Sequence, residues 1–360
     1  MEQPTFSICI PNYNYARYIG ETIQSVLAQT YPKFEIIVAD NASTDNSVQV
    51  VESFKDSRIR LIRNRYNIGF APNLQRATMY ATGDFINLLS SDDLMRRDAL
   101  ETCAAILNQQ GVKAQHTVLM SDVDLVNALG EVVGYETRVR NSFESLTRLG
   151  NPNEVDSTDN LAAMELYRGR DVLRQSLAQL RNFAPFLSVI YPRQLWEAVE
   201  GYNSVRTIGP DKHFHYKLLA QDPDVAYIRR RLFAYRVHGS PNQQAQQTNL
   251  KQQIDDYLYT LEYADDFLAE YGLQRRDLID ILLNRVCLKN GLTQLVHGTF
   301  EQAFRMWAFA LAAYPKTTLR LSKFYFLTGL LLLGPLARIV ARPFYNRYHR
   351  RELERLGIDD

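Results

Sequence analysis

Over the first 110 residues the apolar positions alternate between two periods. Phe6 to Ile10 is a short β-prone apolar run ended by Pro11, which predicts a buried first strand. Pro11-Asn12-Tyr13-Asn14-Tyr15 is a loop by composition, and Ile19, Ile23, Val26 and Leu27 then recur at helical spacing until Tyr31-Pro32. Phe34 to Ala39 predicts a second strand, ending in Asp40-Asn41-Ala42-Ser43-Thr44-Asp45. A helix from about Asn46 to Phe54 follows, capped by Thr44 or Asp45. Ile59 to Ile62 is a third strand, Asn67-Ile68-Gly69 a turn, and a helix from about Ala71 to Tyr80 comes next. Gly83 opens the fourth strand, whose Phe85, Ile86, Leu88 and Leu89 stop at Ser90-Ser91-Asp92-Asp93. Strand and helix thus alternate four times, the pattern of a parallel sheet covered by helices.

Further on the pattern loosens. Thr117 to Val126 mixes β-formers with Asp122 and Asp124, and Asn127-Ala128-Leu129-Gly130 predicts a hairpin into Glu131 to Tyr135, with the acids solvated. Residues 136 to 165 are polar and read as a mobile loop or an acceptor-side insertion. A helix over Gly169 to Leu180, a strand over Phe186 to Tyr191, a helix over His213 to Ala220 and a strand over Val225 to Tyr235 follow. Asn242 to Asn249 reads as a flexible linker. From Leu250 to Ala313 the chain is helical, with one apolar face at Ile254, Tyr257, Leu258, Leu261 and Ala264 and another at Leu278, Ile281, Leu282 and Val286. Packing of these faces on the first domain is the simplest expectation.

Composition adds bounds rather than chemistry. The 360 residues are 46% hydrophobic and 22% charged, enough for two domains with ample core. A net charge of +1 gives no general affinity for polyanions, so no nucleic-acid partner is expected. Cys9, Cys103 and Cys287 are far apart and odd in number, which argues against a disulfide framework and for a reducing compartment. Met1 to Thr5 are polar and the apolar run after them is only strand-length, so no signal peptide is expected. Lys316 to Arg351 holds eight Lys or Arg and no acid, around an uncharged run of 14 residues from Phe324 to Ala337. A membrane-spanning helix needs about 20 apolar residues, so this segment is expected to lie on an anionic membrane surface. Tyr325, Phe344, Tyr345 and Tyr348 are aromatics suited to that interface. The competing expectation is a buried terminal helix with a basic tail.

Loops after the first, second and fourth strands of such a sheet gather on one edge, bringing Tyr13, Asp40, Asp92 and Asp93 together. A ring and an acid suit a base and ribose. Paired acids suit a hard divalent cation holding phosphates, although Asp-Asp ahead of a helix over Leu94 to Leu107 would also serve as its cap. No Gly-x-Gly-x-x-Gly or P-loop pattern is present. Asp211 opens a helix just after Gly209-Pro210, as a general base or as an N-cap. His213 and His215 lie nearby as alternative bases but do not share a helix face.

Five blocks in order carry a resemblance: Ser7 to Asn14, Ser25 to Tyr31, Glu35 to Asp45, Asn67 to Gly69, and Gly83 to Asp93. Together they resemble the family 2 glycosyltransferases of the GT-A fold, strongly over residues 5 to 110 and fairly to about 240. The resemblance implies a mixed α/β sheet and an inverting transfer from a UDP- or dTDP-sugar, aided by Mg or Mn. It implies that Pro11, Tyr13, Asp40 and Asn67 line the nucleotide-sugar pocket and that Asp92 and Asp93 form the acidic metal motif. It further implies that Asp211 is the base, and that Tyr235-Arg236-Val237-His238 folds over the diphosphate, with Arg236 on the leaving group and His238 on the metal or a phosphate. Ser90 stands where relatives often carry an acid, and Pro210 precedes Asp211 where many carry Glu-Asp; the first change removes one carboxylate from the motif.

The expected organisation is a GT-A domain over 1–240, a helical extension over 241–315 and a basic, apolar segment over 316–360. The acceptor implied is a saccharide or lipid-linked saccharide of surface polysaccharide synthesis, and the expected location is cytoplasmic, peripheral at the inner face of the plasma membrane. A sugar nucleotidyltransferase and a catalytically silent GT-A-like scaffold are the alternatives. Sugar, linkage and oligomeric state are left open.

Overall fold

The computed structural model describes residues 3–109, 112–135, 146, 164–203, 209–237 and 250–355. The chain divides into two compact units, one made of Met1–Gln175 with Asn182–His238, the other of Ser176–Arg181 with Gly239–Asp360.

Unit 1 is built on one ten-stranded sheet. Its strands are β1 (Phe6–Asn12), β2 (Phe34–Asp40), β3 (Ile59–Arg63), β4 (Phe85–Leu88), β5 (Leu94–Met95), β6 (Thr117–Val126), β7 (Val132–Tyr135), β8 (Glu165–Arg168), β9 (Val189–Pro192) and β10 (Asp224–Arg236). The order is β3-β2-β1-β4-β9-β6-β10-β5, with β7 on β6 and β8 on β10. The first four are parallel, with Phe6 opposite both Phe34 and Phe85, and Asn12 opposite Asp40. The helices are α1 (Ile19–Leu27), α2 (Ser47–Ser53), α3 (Phe70–Met79), α4 (Ala99–Leu107), α5 (Gly169–Gln179), α6 (Arg193–Ala198) and α7 (Pro210–Leu219). Phe6, Ile8 and Ile10 of β1 share one core with Ile19, Ile23 and Val26 of α1 and Leu100, Cys103 and Ile106 of α4. Helices cover this part of the sheet, so its strands read as continuous apolar runs. Gly83 is required here: a Cβ would lie 2.9 Å from the backbone of Phe6 and Ser7.

This topology fixes where a ligand can sit. From β1 the chain moves outward to β2 and β3, then returns to β4 on the other side of β1. The order therefore reverses between β1 and β4, and ligands of open α/β sheets bind in the crevice beyond the strand ends at such a point.

Several expectations need correction. No helix starts at Leu94. Leu94 and Met95 pair with Ala234 and Phe233 of β10, the Met95 N–H goes to Ser25 Oγ at 3.1 Å, and helix begins only at Ala99. Pairing with a strand far away in sequence overrides the local helical pattern, and Asp92-Asp93 is not a cap. Asp122 and Asp124 are not solvated hairpin charges: Asp122 accepts the Tyr227 hydroxyl at 2.6 Å, and Asp124 is buried and paired with Arg96 and Arg231. Only Val189 onward forms the strand expected over Phe186 to Tyr191, since Phe186–Ser188 makes a 3₁₀ turn. The polar stretch 136–163, apart from Leu146, and the linker 242–249 lie outside the described residues.

Unit 2 is helical. Its last elements are the helices Asn290–His297, Phe300–Ala313 and Pro315–Thr318, then Ser322–Leu332 and Ala337–Arg355. The first helix, Lys251–Glu262, buries Gln253, Asp255, Asp256, Tyr259 and Thr260 and leaves Ile254, Leu258 and Leu261 exposed, the reverse of the expected face. Leu278, Leu282 and Val286 are buried as the periodicity predicts. Gly334, at φ +54°, and a 3₁₀ turn at Gly334–Leu336 split the apolar run Phe324 to Ala337. Among the described residues no helix is long and apolar enough to cross a membrane. All three cysteines are buried and unpaired.

Candidate active site

The loops after β1 and β2 are fastened to one another by side chains. Asp40 is buried; its Oδ1 accepts Asn12 Nδ2 at 2.9 Å and Ser43 Oγ at 2.6 Å, and its Oδ2 accepts the Ser43 N–H at 3.0 Å. Asn14 and Ala42 sit at φ +59° and +61°, left-handed conformations that cost roughly 1–3 kcal/mol each outside glycine. The Asn14 side chain supports its own loop partner by accepting the Thr44 N–H at 2.7 Å. Pro11 is half-buried and the Tyr13 ring is 42% exposed beside this framework. Asn67 joins it from the β3–α3 loop, its Oδ1 accepting Asn41 Nδ2 at 2.9 Å and the Gly69 N–H at 2.8 Å. Tyr13 is thus exposed beside loops that Asp40 and Asn67 hold.

The loop after β4 lies across the same edge. Leu89 N–H donates to Cys9 O at 2.9 Å, so the chain leaves β4 for Ser90 to Asp92 alongside the last residues of β1. Asp92 is partly exposed and Asp93 is buried behind it. Asp93 Oδ1 accepts the Arg236 N–H at 2.8 Å, and a hydrogen bond from the Ser90 side chain also favours the carboxylate. Burial, and then the adjacent Asp92 carboxylate, push the Asp93 carboxyl well above the usual carboxylate range. A cation at Asp92 would oppose that shift, so the pair fits a divalent metal with Asp92 outermost. Among the described residues no cluster of three or more His, Cys, Asp or Glu could hold a metal. His238, expected as a further ligand, lies outside the described residues.

Arg236, expected on the leaving group, is tied into the fold. It is fully buried, donating from Nε to Asp92 O at 2.7 Å, from Nη1 to Ala128 O at 3.1 Å and Asn127 O at 3.3 Å, and from Nη2 to Glu21 Oε2 at 2.7 Å. Its guanidinium also lies 4.8 Å from the centre of the Tyr18 ring. Arg236 therefore holds the acidic loop, the β6–β7 turn and α1 together from behind.

A third group arrives through α7. Residues 220–223 join α7 to the start of β10. Pro210 occupies the first turn, where its missing N–H costs nothing, and Asp211 follows it. Asn182 donates to Asp211 Oδ2 at 2.9 Å, and its Oδ1 lies 2.7 Å from His215 Nδ1. Since the amide nitrogen faces the carboxylate, the oxygen must accept from His215, which puts the imidazole proton on Nδ1. His215 is buried, and burial pushes its pKa down to about 3, so it stays neutral. Burial also raises the Asp211 carboxyl, with Lys212 and Asn182 opposing. A carboxylate raised in this way accepts a proton more readily at neutral pH. Gly201, at φ +62° and with Trp196 against the position of a Cβ, turns the chain so that the Tyr202 N–H meets Gln75 Oε1 at 2.6 Å. The buried Tyr202 ring then stacks on Phe214 of α7 at 4.1 Å.

Residues 7–152 match the model of Glycosyl transferase family 2. Over that segment, less than half of its length, the chain is similar to that family. The chain is 43% identical over 101 residues to the UDP-Glc:alpha-D-GlcNAc-diphosphoundecaprenol beta-1,3-glucosyltransferase WfgD of Escherichia coli, a match spanning 28% of this chain and 40% of that one. Its matches to the first curated relatives span 33% to 41% of their length. Staphylococcus aureus TarS 1-349 in complex with UDP-GlcNAc superposes with a TM-score of 0.57 at 17% identity, covering 97% of this chain and 92% of that one. The Pyrobaculum calidifontis mannosyltransferase PcManGT, in complex with GDP-Man and Mn2+, gives a TM-score of 0.51 at 17% identity over 96% of this chain and 88% of that one. At these identities the structures speak for the fold, which is GT-A with a helical C-terminal region.

The sequence reading missed Asn12, Glu21, Asn41 and Asn182. Asn12 and Asn41 sit at strand ends, where their type was a signal. Glu21 and Asn182 carried none, because their partners lie 215 and 29 residues away.

Proposed function

We propose that unit 1 is an inverting glycosyltransferase that moves a sugar from a UDP- or dTDP-sugar to a hydroxyl of a saccharide or lipid-linked saccharide. The observation that best supports this reading is the exposed Tyr13 on the loop after β1 with the partly exposed Asp92 on the loop after the neighbouring β4, and the raised Asp211 carboxyl adds a candidate base. Tyr13 and Pro11 would bind the base, with Asp40 and Asn67 shaping their loops. Asp92 would hold Mg or Mn with Asp93 supporting it, and His238 completing the set; such an ion offsets charge on the diphosphate. Asp211 takes the acceptor proton as that oxygen attacks the sugar C1. The bond from C1 to the diphosphate breaks on the opposite face, its electrons leaving with the nucleotide diphosphate. Asn182 keeps the accepting oxygens of Asp211 aimed, and neutral His215 keeps Asn182 in register. A relative named for a diphosphoundecaprenol-linked acceptor and the basic, apolar stretch 316–351 both favour work at the inner, cytoplasmic face of the plasma membrane.

The test is nucleotide release from UDP- and dTDP-sugars with Mn and a lipid-linked saccharide. Release that needs the acceptor, with kcat lowered about 10²- to 10⁴-fold in Asp211→Asn, is expected. Unchanged turnover in that variant would remove Asp211 as the base.

A further inference from the structure

Unit 2 contains a cavity of about 470 Å³, within the usual range of small-molecule sites. Buried Leu288 and Leu327, with Leu292, line its interior, and the exposed rings of Phe326 and Phe344 stand at its mouth, 5.4 Å apart. Tyr345, Lys289, Lys323 and Arg347 complete the wall, with no acid among the described residues that line it. An interior made of leucine, ringed by cations, is complementary to one class of ligand: an amphipathic anion with a hydrocarbon tail and a phosphate head. Its helix wall is also unusual. Leu282–Lys289 is wound as a π-helix, a form that is rare and concentrated at functional sites, and it ends in Leu288 and Lys289 at the cavity. Beyond the mouth the same two helices expose Tyr325, Leu332, Ile339 and Val340, an apolar surface carrying Arg338 and Arg342.

From this we infer that the cavity seats one acyl chain of an anionic membrane phospholipid, whose phosphate rests on Lys323, Arg347 and Lys289. The inference deepens the membrane-surface part of the proposed function and rests on it. It replaces a diffuse basic attraction with a site that has a shape. Affinity should then depend on the space inside the cavity as well as on charge.

The test uses the full chain and vesicles of phosphatidylcholine, alone or mixed with phosphatidylglycerol. The expected result is sedimentation with the mixed vesicles only. Leu292→Trp, which fills the cavity, and Lys323→Glu with Arg347→Glu, which reverse its rim, should each weaken binding by at least about tenfold, since each surface cation contributes about fivefold. Short-chain phosphatidylglycerol kept below its micelle concentration should raise the Tm of the wild type but not of Leu292→Trp, and inorganic phosphate should raise neither. If Leu292→Trp fails to melt cooperatively, the rim variant carries the test. Wild-type binding by a folded Leu292→Trp, or by the rim variant, would overturn the cavity while leaving surface attachment in place. No binding of the wild type to either vesicle would overturn both. A Tm rise with inorganic phosphate equal to that with the lipid would assign the cations to a free anion instead. Sugar transfer to a soluble saccharide is read separately, so loss of lipid binding with transfer intact leaves the transferase reading standing.

Discussion

At the sheet edge of unit 1, polar and charged groups are buried and tied down; on the last helices of unit 2, large apolar groups stand in solvent beside cations. Arg236, Asp40 and Asp93 are almost wholly buried, whereas Leu332 is 83% and Ile339 71% exposed. Polar atoms that must present a ligand site are worth burying only when their hydrogen bonds are met, and here most are met by neighbouring loops. Apolar side chains left in water carry no comparable return within the fold, and a patch of them marks a surface that meets something else. Rigidity in unit 1 and adhesiveness in unit 2 are therefore the properties to perturb.

The largest effect should come from Arg236→Ala. It removes the Arg236 hydrogen bonds from the carbonyls of Asp92, Asn127 and Ala128, of which Asn127 O keeps the Gly130 N–H, and opens a cavity, at a cost of about 3–5 kcal/mol in urea denaturation, and Arg236→Lys should restore little because one ammonium cannot span those partners. A loss below about 1 kcal/mol would show that the edge is not built on this residue.

Next comes Asn182→Ala. It strands His215 Nδ1 and one Asp211 oxygen and should cost about 1–3 kcal/mol, with a larger drop in kcat than in donor KM. The pH dependence has a definite sign. His215 is held near 3 in the fold against an ordinary value of 6.5, so the unfolded chain binds more protons between them. Stability from this group is present above about pH 6.5 and is lost as pH falls toward 3. His215→Gln should flatten that part of the stability profile; an unchanged acid limb would remove His215 from its origin.

The smallest change in stability belongs to unit 2. Leu332→Ser with Ile339→Ser should leave the Tm unaltered, the unfolding free energy moving by no more than about 0.5 kcal/mol, because neither side chain is packed. Binding to anionic vesicles should fall nonetheless. A clear loss of stability would mean that these residues are part of the core.

How much of this was legible in the sequence follows from how local each signal is. β1, β2, β3 and β4 were readable because each is an apolar run with a turn signal at its end, and their alternation with helices gave the parallel sheet. Leu94-Met95 was misread because its strand partner is in β10, and β8 at Glu165–Arg168 fell between the polar stretch ending at 165 and the helix read from Gly169. At the candidate site, residue types were legible and orientations were not. Asp93 and Arg236 stand out in the sequence as charges for a ligand, yet one is buried on a backbone N–H and the other on three carbonyls and Glu21. The cavity in unit 2 was invisible for the same reason: its lining comes from three separate segments, whereas the basic and apolar character of 316–351 could be read directly.

The central claim is that the sheet edge of unit 1 binds a nucleotide diphosphate through Tyr13 and a metal at Asp92. Calorimetric titration of UDP, dTDP and GDP, with and without Mn, on the wild type and on Asp92→Asn tests it most directly. The account predicts Mn-dependent binding of UDP or dTDP that Asp92→Asn abolishes while the protein keeps its Tm. Folded wild-type protein that binds none of the three, with or without the metal, would contradict it and leave a GT-A scaffold without a donor site.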